Sequence, residues 1–166
     1  MPEIMLFIVI LLPILTGVCA FLIPFKKNSQ REIFLETFII TNSVLVWLLL
    51  LNRPEGTFTL AYFTGNLAVQ FHIDGLSMVF AGLVATLWPL ATLYAFEYMK
   101  KEEHERVFFM FYTVTYGVTL GIALAANILT MYFFYEMLTL VTTPLVMHTL
   151  TREAILASRK YMYYSL

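Results

Sequence analysis

The chain of 166 residues is poor in charge: Asp, Glu, Lys and Arg make up only 13% of it. Its net charge of −1 leaves no basic excess, so no surface for nucleic acid is expected. There is a single cysteine, Cys19, which excludes a disulfide within the chain and a cysteine-built cluster site. Cys19 lies inside an apolar run and is expected to be a small packing residue. Histidine is scarce, three in all, and His72 has no second His or Cys near it at ligand spacing. No Gly-rich phosphate loop or nucleophile triad is found. No cofactor, metal, haem, nucleotide or iron–sulfur site is therefore expected.

What remains is apolar. Hydrophobic residues make up 60% of the chain, and the mean hydropathy is +0.80. A soluble domain of this length does not reach such values. Apolar runs of about 20 residues, parted by short charged clusters, indicate a polytopic α-helical membrane protein. The first run is not preceded by the positive residues of a signal peptide. Pro2 and Glu3 come first and the first Lys is Lys26, so a retained span is expected. Spans are predicted at 4–25, 33–51, 76–99, 107–126 and 128–148, with an incomplete sixth at 152–166. Pro13 is expected to kink the first and Pro24 to help end it, and Trp47 is a candidate interface anchor. The whole, residues 1–166, reads as one membrane domain.

The stretch between the second and third spans is too polar to cross. Leu67, Val69, Phe71 and Ile73 alternate with Ala68, Gln70 and His72, which is the period of a strand. Thr57 to Leu60 alternates as well, and Thr64-Gly65-Asn66 has turn chemistry. A β-hairpin over 57–73 is predicted, with Leu67, Val69, Phe71 and Ile73 packed on the helix ends or on a neighbouring subunit. Nine of the ten Lys and Arg residues fall after spans one, three and five. The positive-inside rule makes loops 26–31, 100–106 and 151–160 cytoplasmic. The N-terminus and the hairpin then face outward, and the location is the cell (inner) membrane.

One acid breaks the apolar pattern. Glu136 lies near the middle of the fifth span, where an ionisable residue costs about 2.5–3.5 kcal/mol on insertion scales. The other acids avoid that depth: Glu36 is placed near a helix start, Asp74 before span three as a candidate N-cap, and Glu97 near a span end. Tyr132, Thr139 and Thr143 share one helical side with Glu136. Such a stripe faces a bundle interior or a water-filled path, and an acid balanced between burial and a nearby cation can load and release protons. Pro144 frees the Leu140 carbonyl one turn before it. The alternative is a neutral Glu that only bonds a neighbouring helix.

Two stretches, FHIDGLSMVFAGLVATLWPLATLYAFEYM and NILTMYFFYEMLTLVTTPLVMH, resemble the antiporter-like membrane subunits of complex I, Mrp-type cation/proton antiporters and membrane-bound hydrogenases. YEMLTL…PLVMH followed by SRKYMYYSL is most similar to the D-type branch of the Mrp antiporters. The resemblance implies that Glu136 matches a fifth-helix Glu that pairs with a Lys on a broken seventh helix and drives proton or sodium movement. It matches Asp74 and Gly75 to the family's Asp-Gly and Glu97 to its EYM ending; with His148 and Lys160 these are expected to be rim or structural residues. It also implies membrane subunits as partners, with a peripheral redox arm in the oxidoreductase branches, and it places no redox site in this chain. Family members continue past a sixth helix into two inverted repeats. The seventh-helix Lys is absent here, so a partner chain supplying the remaining helices is expected. The rival expectation is an accessory, structural membrane subunit.

Overall fold

In hydrocarbon a backbone finds no partner but itself, and long apolar runs therefore become helices. The computed structural model describes residues 2–53, 56–64, 67–100, 104–147 and 151–165. In chain order these form α1 (Pro2–Leu22), α2 (Asn28–Asn52), β1 (Phe58–Thr64), β2 (Leu67–Phe71), α3 (Gly75–Met99), α4 (Glu105–Ala123), α5 (Ile128–Val146) and α6 (Arg152–Ser165). The helices α1 to α5 are each long and apolar enough to cross a membrane. With 14 residues, α6 is about 21 Å long at about 1.5 Å per residue. The expected architecture, a helical membrane protein with a hairpin between the second and third helices, is what the structure shows.

Neighbours in sequence pack as neighbours in space, and α1 also packs along α4. Small residues set that approach. A Cβ on Gly17 would stand 2.7 Å from the Met110 carbonyl oxygen, and one on Gly117 would collide with the Ile10 carbonyl. At the α4–α5 contact, Gly121 receives the Phe134 ring. Several threonine hydroxyls inside the spans are satisfied within their own helix. Thr16, Thr92, Thr113 and Thr119 donate to the carbonyls of Leu12, Trp88, Phe109 and Thr115 at 2.7–2.8 Å. Cys19 is free and exposed on α1, not packed within the bundle as expected.

The hairpin is antiparallel, with β2 turned toward the helices. Val69, Phe71 and Ile73 are buried as predicted, whereas Leu67 is 55% exposed. Ala68, placed on the polar side by the alternation, is buried too. Phe71 stands edge-on between Phe7 of α1 and Phe134 of α5, at 6.0 and 5.6 Å. The strand also bonds the turn between α4 and α5: the Ala126 amide donates to the Gln70 carbonyl (2.9 Å) and the His72 amide to that of Leu124 (3.0 Å). This explains why α4 ends at Ala123, short of the expected 126. His72 sits beside the Gly56 carbonyl, 2.9 Å from Nδ1.

A second boundary shift has an electrostatic cause. The α2 helix begins at Asn28, earlier than the expected 33. Its first turn carries Arg31, which aligns at helical spacing with buried Leu35, Ile39 and Val46 and is itself 2% exposed. Its guanidinium lies 2.5 Å from the carboxylate of Glu105, the first residue of α4. Asn28 Nδ2 donates to the other Glu105 oxygen at 3.1 Å. Two residues read as loop charges thus form a buried tie between helices. Breaking such a pair strands a buried charge at a cost of about 3–5 kcal/mol, while replacing both partners by apolar groups is often near neutral. Arg31→Met is therefore expected to lower the free energy of unfolding by that order, measured by denaturant titration in micelles. The double variant Arg31→Met, Glu105→Leu is expected to regain most of the loss. A double variant no better than the single would place the cost elsewhere.

Candidate ion-translocation site

The site is built from the start of α5. Asn127 caps the helix, its Oδ1 accepting from the Thr130 amide and hydroxyl at 2.7 Å each. The same side chain donates to the Ala68 carbonyl at 2.9 Å, and the Gln70 amide donates to the Thr130 hydroxyl at 2.8 Å. These bonds fix the rotation of the first turn. Thr130, Phe134 and Thr139 then point inward and are buried. Ile128, Tyr132, Tyr135 and Leu140 are exposed.

Glu136 stands eight residues into the helix, about 12 Å below its start at about 1.5 Å per residue. It is half-buried, and its Oε2 is enclosed without a hydrogen-bond partner. The Tyr132 hydroxyl, one turn earlier, faces the carboxylate. Both line a cavity of about 300 Å³ with Leu67, Leu129 and Phe133. The cavity lies on the side of α5 that the described helices do not cover. The exposed end of the hairpin face, Leu67, closes its outer edge.

Among the expected site residues, the structure brings Tyr132 and Glu136 together. Thr139 and Thr143 follow on the same helix, but their hydroxyls donate to the carbonyls of Tyr135 (3.3 Å) and Thr139 (2.7 Å). Pro144 lies inside α5, which continues to Val146. Asp74 caps α3, accepting from the Ser77 amide at 2.7 Å. Glu97 pairs with Lys100 on the exposed end of α3. Lys160 is exposed on α6, and His148 lies outside the described residues. No group of three or more His, Cys, Asp or Glu able to hold a metal ion occurs among the described residues.

Sequence reasoning missed Glu36. With α2 starting at Asn28, this acid is two turns inside the helix and not near its start. Both of its carboxylate oxygens are enclosed and have no hydrogen-bond partner. The missing signal was the helix boundary, which Arg31 would have supplied had its stripe with Leu35 and Ile39 been followed.

Residues 61–109 match the family model of the N-terminus of chain 5 of NADH-ubiquinone oxidoreductase, complex I. The stretch runs from β1 through the Asp74 cap and α3 to the first turns of α4. The chain is 27% identical over 143 residues to the A-type subunit of the Na(+)/H(+) antiporter of Alkalihalophilus pseudofirmus, covering 81% of this chain and 18% of that protein. It is 24% identical to the A1-type subunit of the Na(+)/H(+) antiporter of Staphylococcus aureus, covering 80% and 17% respectively. The fold matches a chain of the membrane-bound sulfane sulfur reductase, an archaeal respiratory membrane complex, with a TM-score of 0.80 at 16% identity. That match covers 95% of this chain and 33% of the other. The chain is similar to antiporter-like membrane subunits. Both named antiporter relatives are of the A type, whereas the motifs point to the D-type branch. The chain spans under a fifth of their length.

The α3 cap is the part of the matched stretch whose chemistry can be tested most directly. The Ser77 amide and hydroxyl, with His72 nearby, hold the Asp74 carboxyl below the usual carboxylate range. A lowered acid stabilises the fold above its unfolded-state pKa of about 3.9 and loses that contribution as pH falls through the lower, folded value. Asp74→Ala is expected to cost about 0.5–2 kcal/mol at neutral pH. The difference from the parent should shrink below about pH 4. A pH-independent difference in unfolding midpoints would show that the charge has no part in the cap.

Proposed function

We propose that the chain is the N-terminal part of an ion-translocating, antiporter-like subunit of a multisubunit membrane complex. It moves protons or sodium by way of Glu136, coupled to electron transfer or to another ion gradient. The observation that carries this reading is the Glu136–Tyr132 pair on an open face of α5 at membrane depth. An acid there is costly against lipid and is retained where protein or water covers it. The face is therefore the docking surface for further helices, and the cover must bring a cation or a water path to the carboxylate. Tyr132 can donate to the carboxylate and accept from the acid, which suits a group that alternates between the two. Thr143 follows two turns below Glu136 on the same helical side, its hydroxyl bonded to the Thr139 carbonyl. A structural role is the second reading. It is favoured by the same Tyr132 hydroxyl, which would satisfy a permanently neutral Glu136.

Replacing Glu136 separates the two. In the assembled complex, Glu136→Gln is expected to bring ion movement to background while assembly stays intact, and Glu136→Asp to keep part of it. Tyr132→Phe is expected to have a smaller effect in the same direction. Ion flux into vesicles with full activity in the Gln variant would make Glu136 structural.

The topology follows from charge. With loops 26–31, 100–106 and 151–160 in the cytoplasm, the hairpin faces outward and Leu67 lines the Glu136 cavity from that side. Single cysteines at Lys27 and Arg152, in a Cys19→Ser background, are expected to resist an impermeant maleimide added to intact cells. One at Thr57, which is exposed beside the hairpin, is expected to react. Labelling at Lys27 would invert the orientation.

A further inference from the structure

A second polar region lies in the membrane, away from Glu136, where α2, α3 and α4 meet. It is laid out in two rungs. At the lower rung Tyr112 of α4 faces Glu36 of α2 and Thr92 of α3. At the upper rung the Ser43 hydroxyl and the Tyr116 hydroxyl are 2.9 Å apart, and Asn42 lies beside Tyr116. Trp88 joins the rungs. Its ring stacks on Tyr116 (5.1 Å, 12°) and leans on Tyr112 (5.2 Å, 33°).

Three of these side chains are enclosed and unpaired: both carboxylate oxygens of Glu36, both amide atoms of Asn42, and Nε1 of Trp88. Asn42 is fully buried. Buried polar atoms are nearly always satisfied by protein or by ordered water. The partner that suits a carboxyl, an amide and an indole N–H at once is water, which donates and accepts. The seam is closed toward the hairpin by Val46, Leu49, Leu50, Ala81, Ala85 and Leu120, all buried and apolar. Toward the other end it meets the Arg31, Glu105 and Asn28 cluster, with Arg31 five residues before Glu36 on the same helix.

We propose that Glu36 is the centre of a second protonatable site, a hydrated seam between α2, α3 and α4 that exchanges its proton at the Arg31–Glu105 end. The step is a simple transfer: the carboxylate takes a proton from a hydronium or water donor arriving from that end, and the acid returns it the same way. The titratable group facing Glu36 is Tyr112. From α3 the seam receives Trp88 and Thr92, which do not titrate, and Arg31, five residues before Glu36 on α2, is held by Glu105. The site does not depend on the role of Glu136.

The test is infrared difference spectroscopy of the assembled complex in lipid while bulk pH is stepped. A carbonyl band of a protonated carboxyl is expected in the parent, lost in Glu36→Gln and retained in Glu136→Gln. Glu36→Asp is expected to move the band without removing it, and Tyr112→Phe to shift its titration midpoint. Asn42→Leu, which removes a polar group from the seam but leaves the acid, is expected to shift the band frequency. A Glu36→Gln spectrum that keeps every carboxyl band of the parent would overturn the proposal. If the Gln variant does not assemble, a Glu36→Asp spectrum identical to the parent would do the same. Loss of flux in Glu136→Gln with the Glu36 band unchanged keeps the two sites distinct.

Discussion

Hydrocarbon offers a polar group no partner that the protein does not bring with it, and that constraint orders this structure. Threonine hydroxyls are spent on the carbonyls one turn back in their own helices. The one fully enclosed cation among the described residues, Arg31, meets an enclosed carboxylate. Against that background an unpaired buried carboxylate oxygen is informative, because the chain has satisfied polar groups elsewhere by means that were equally open to it. Among the described residues, Glu36 and Glu136 are the two acids left in that condition inside the spans.

The orientation of α5 shows how a polar segment outside the bilayer governs a residue within it. The Gln70 amide holds Thr130, and Asn127 holds the Ala68 carbonyl. Phe71 wedges between Phe7 and Phe134. Together these contacts leave α5 little rotational freedom, since turning it would break bonds in its first turn and pull Phe134 from Gly121. A rotation by one residue position is about 100° at about 3.6 residues per turn. Such a turn would carry Glu136 away from its cavity. The hairpin therefore acts as a positioning element for the acid even though Leu67 is its one residue in the cavity lining.

Much of this was legible in the order of residues. Period-two alternation from Leu67 to Ile73 located β2, long apolar runs located the helices, and Asp74 announced the cap of α3. The lengths of α2 and α4 were not legible, because hydropathy marks where lipid begins and not where a helix begins. Asn28 to Glu32 is polar, yet it is helical, since Arg31 finds Glu105 seventy-odd residues away in sequence and adjacent in space. A pair of that separation carries no local signal. The same error placed Glu36 near a helix end and hid it. At Glu136 the helical spacing to Tyr132 pointed to a shared face, and the two side chains do meet there. The spacing to Thr139 and Thr143 could not reveal that their hydroxyls turn back to the backbone.

The two acids cannot serve as stations on one path. Proton transfer needs donors and acceptors in hydrogen-bond reach, directly or through water. Glu136 looks out of the described helices from α5, whereas Glu36 looks into the seam between α2 and α4. The helix α4 stands between them, and its contact with α5 is made by Gly121 against an aromatic ring, within a cluster that includes Val118, Leu120 and Leu124. At that contact the packing is apolar and offers water few partners. On the proposed roles each acid has its own access, one through the uncovered face of α5 and the other at the Arg31–Glu105 end.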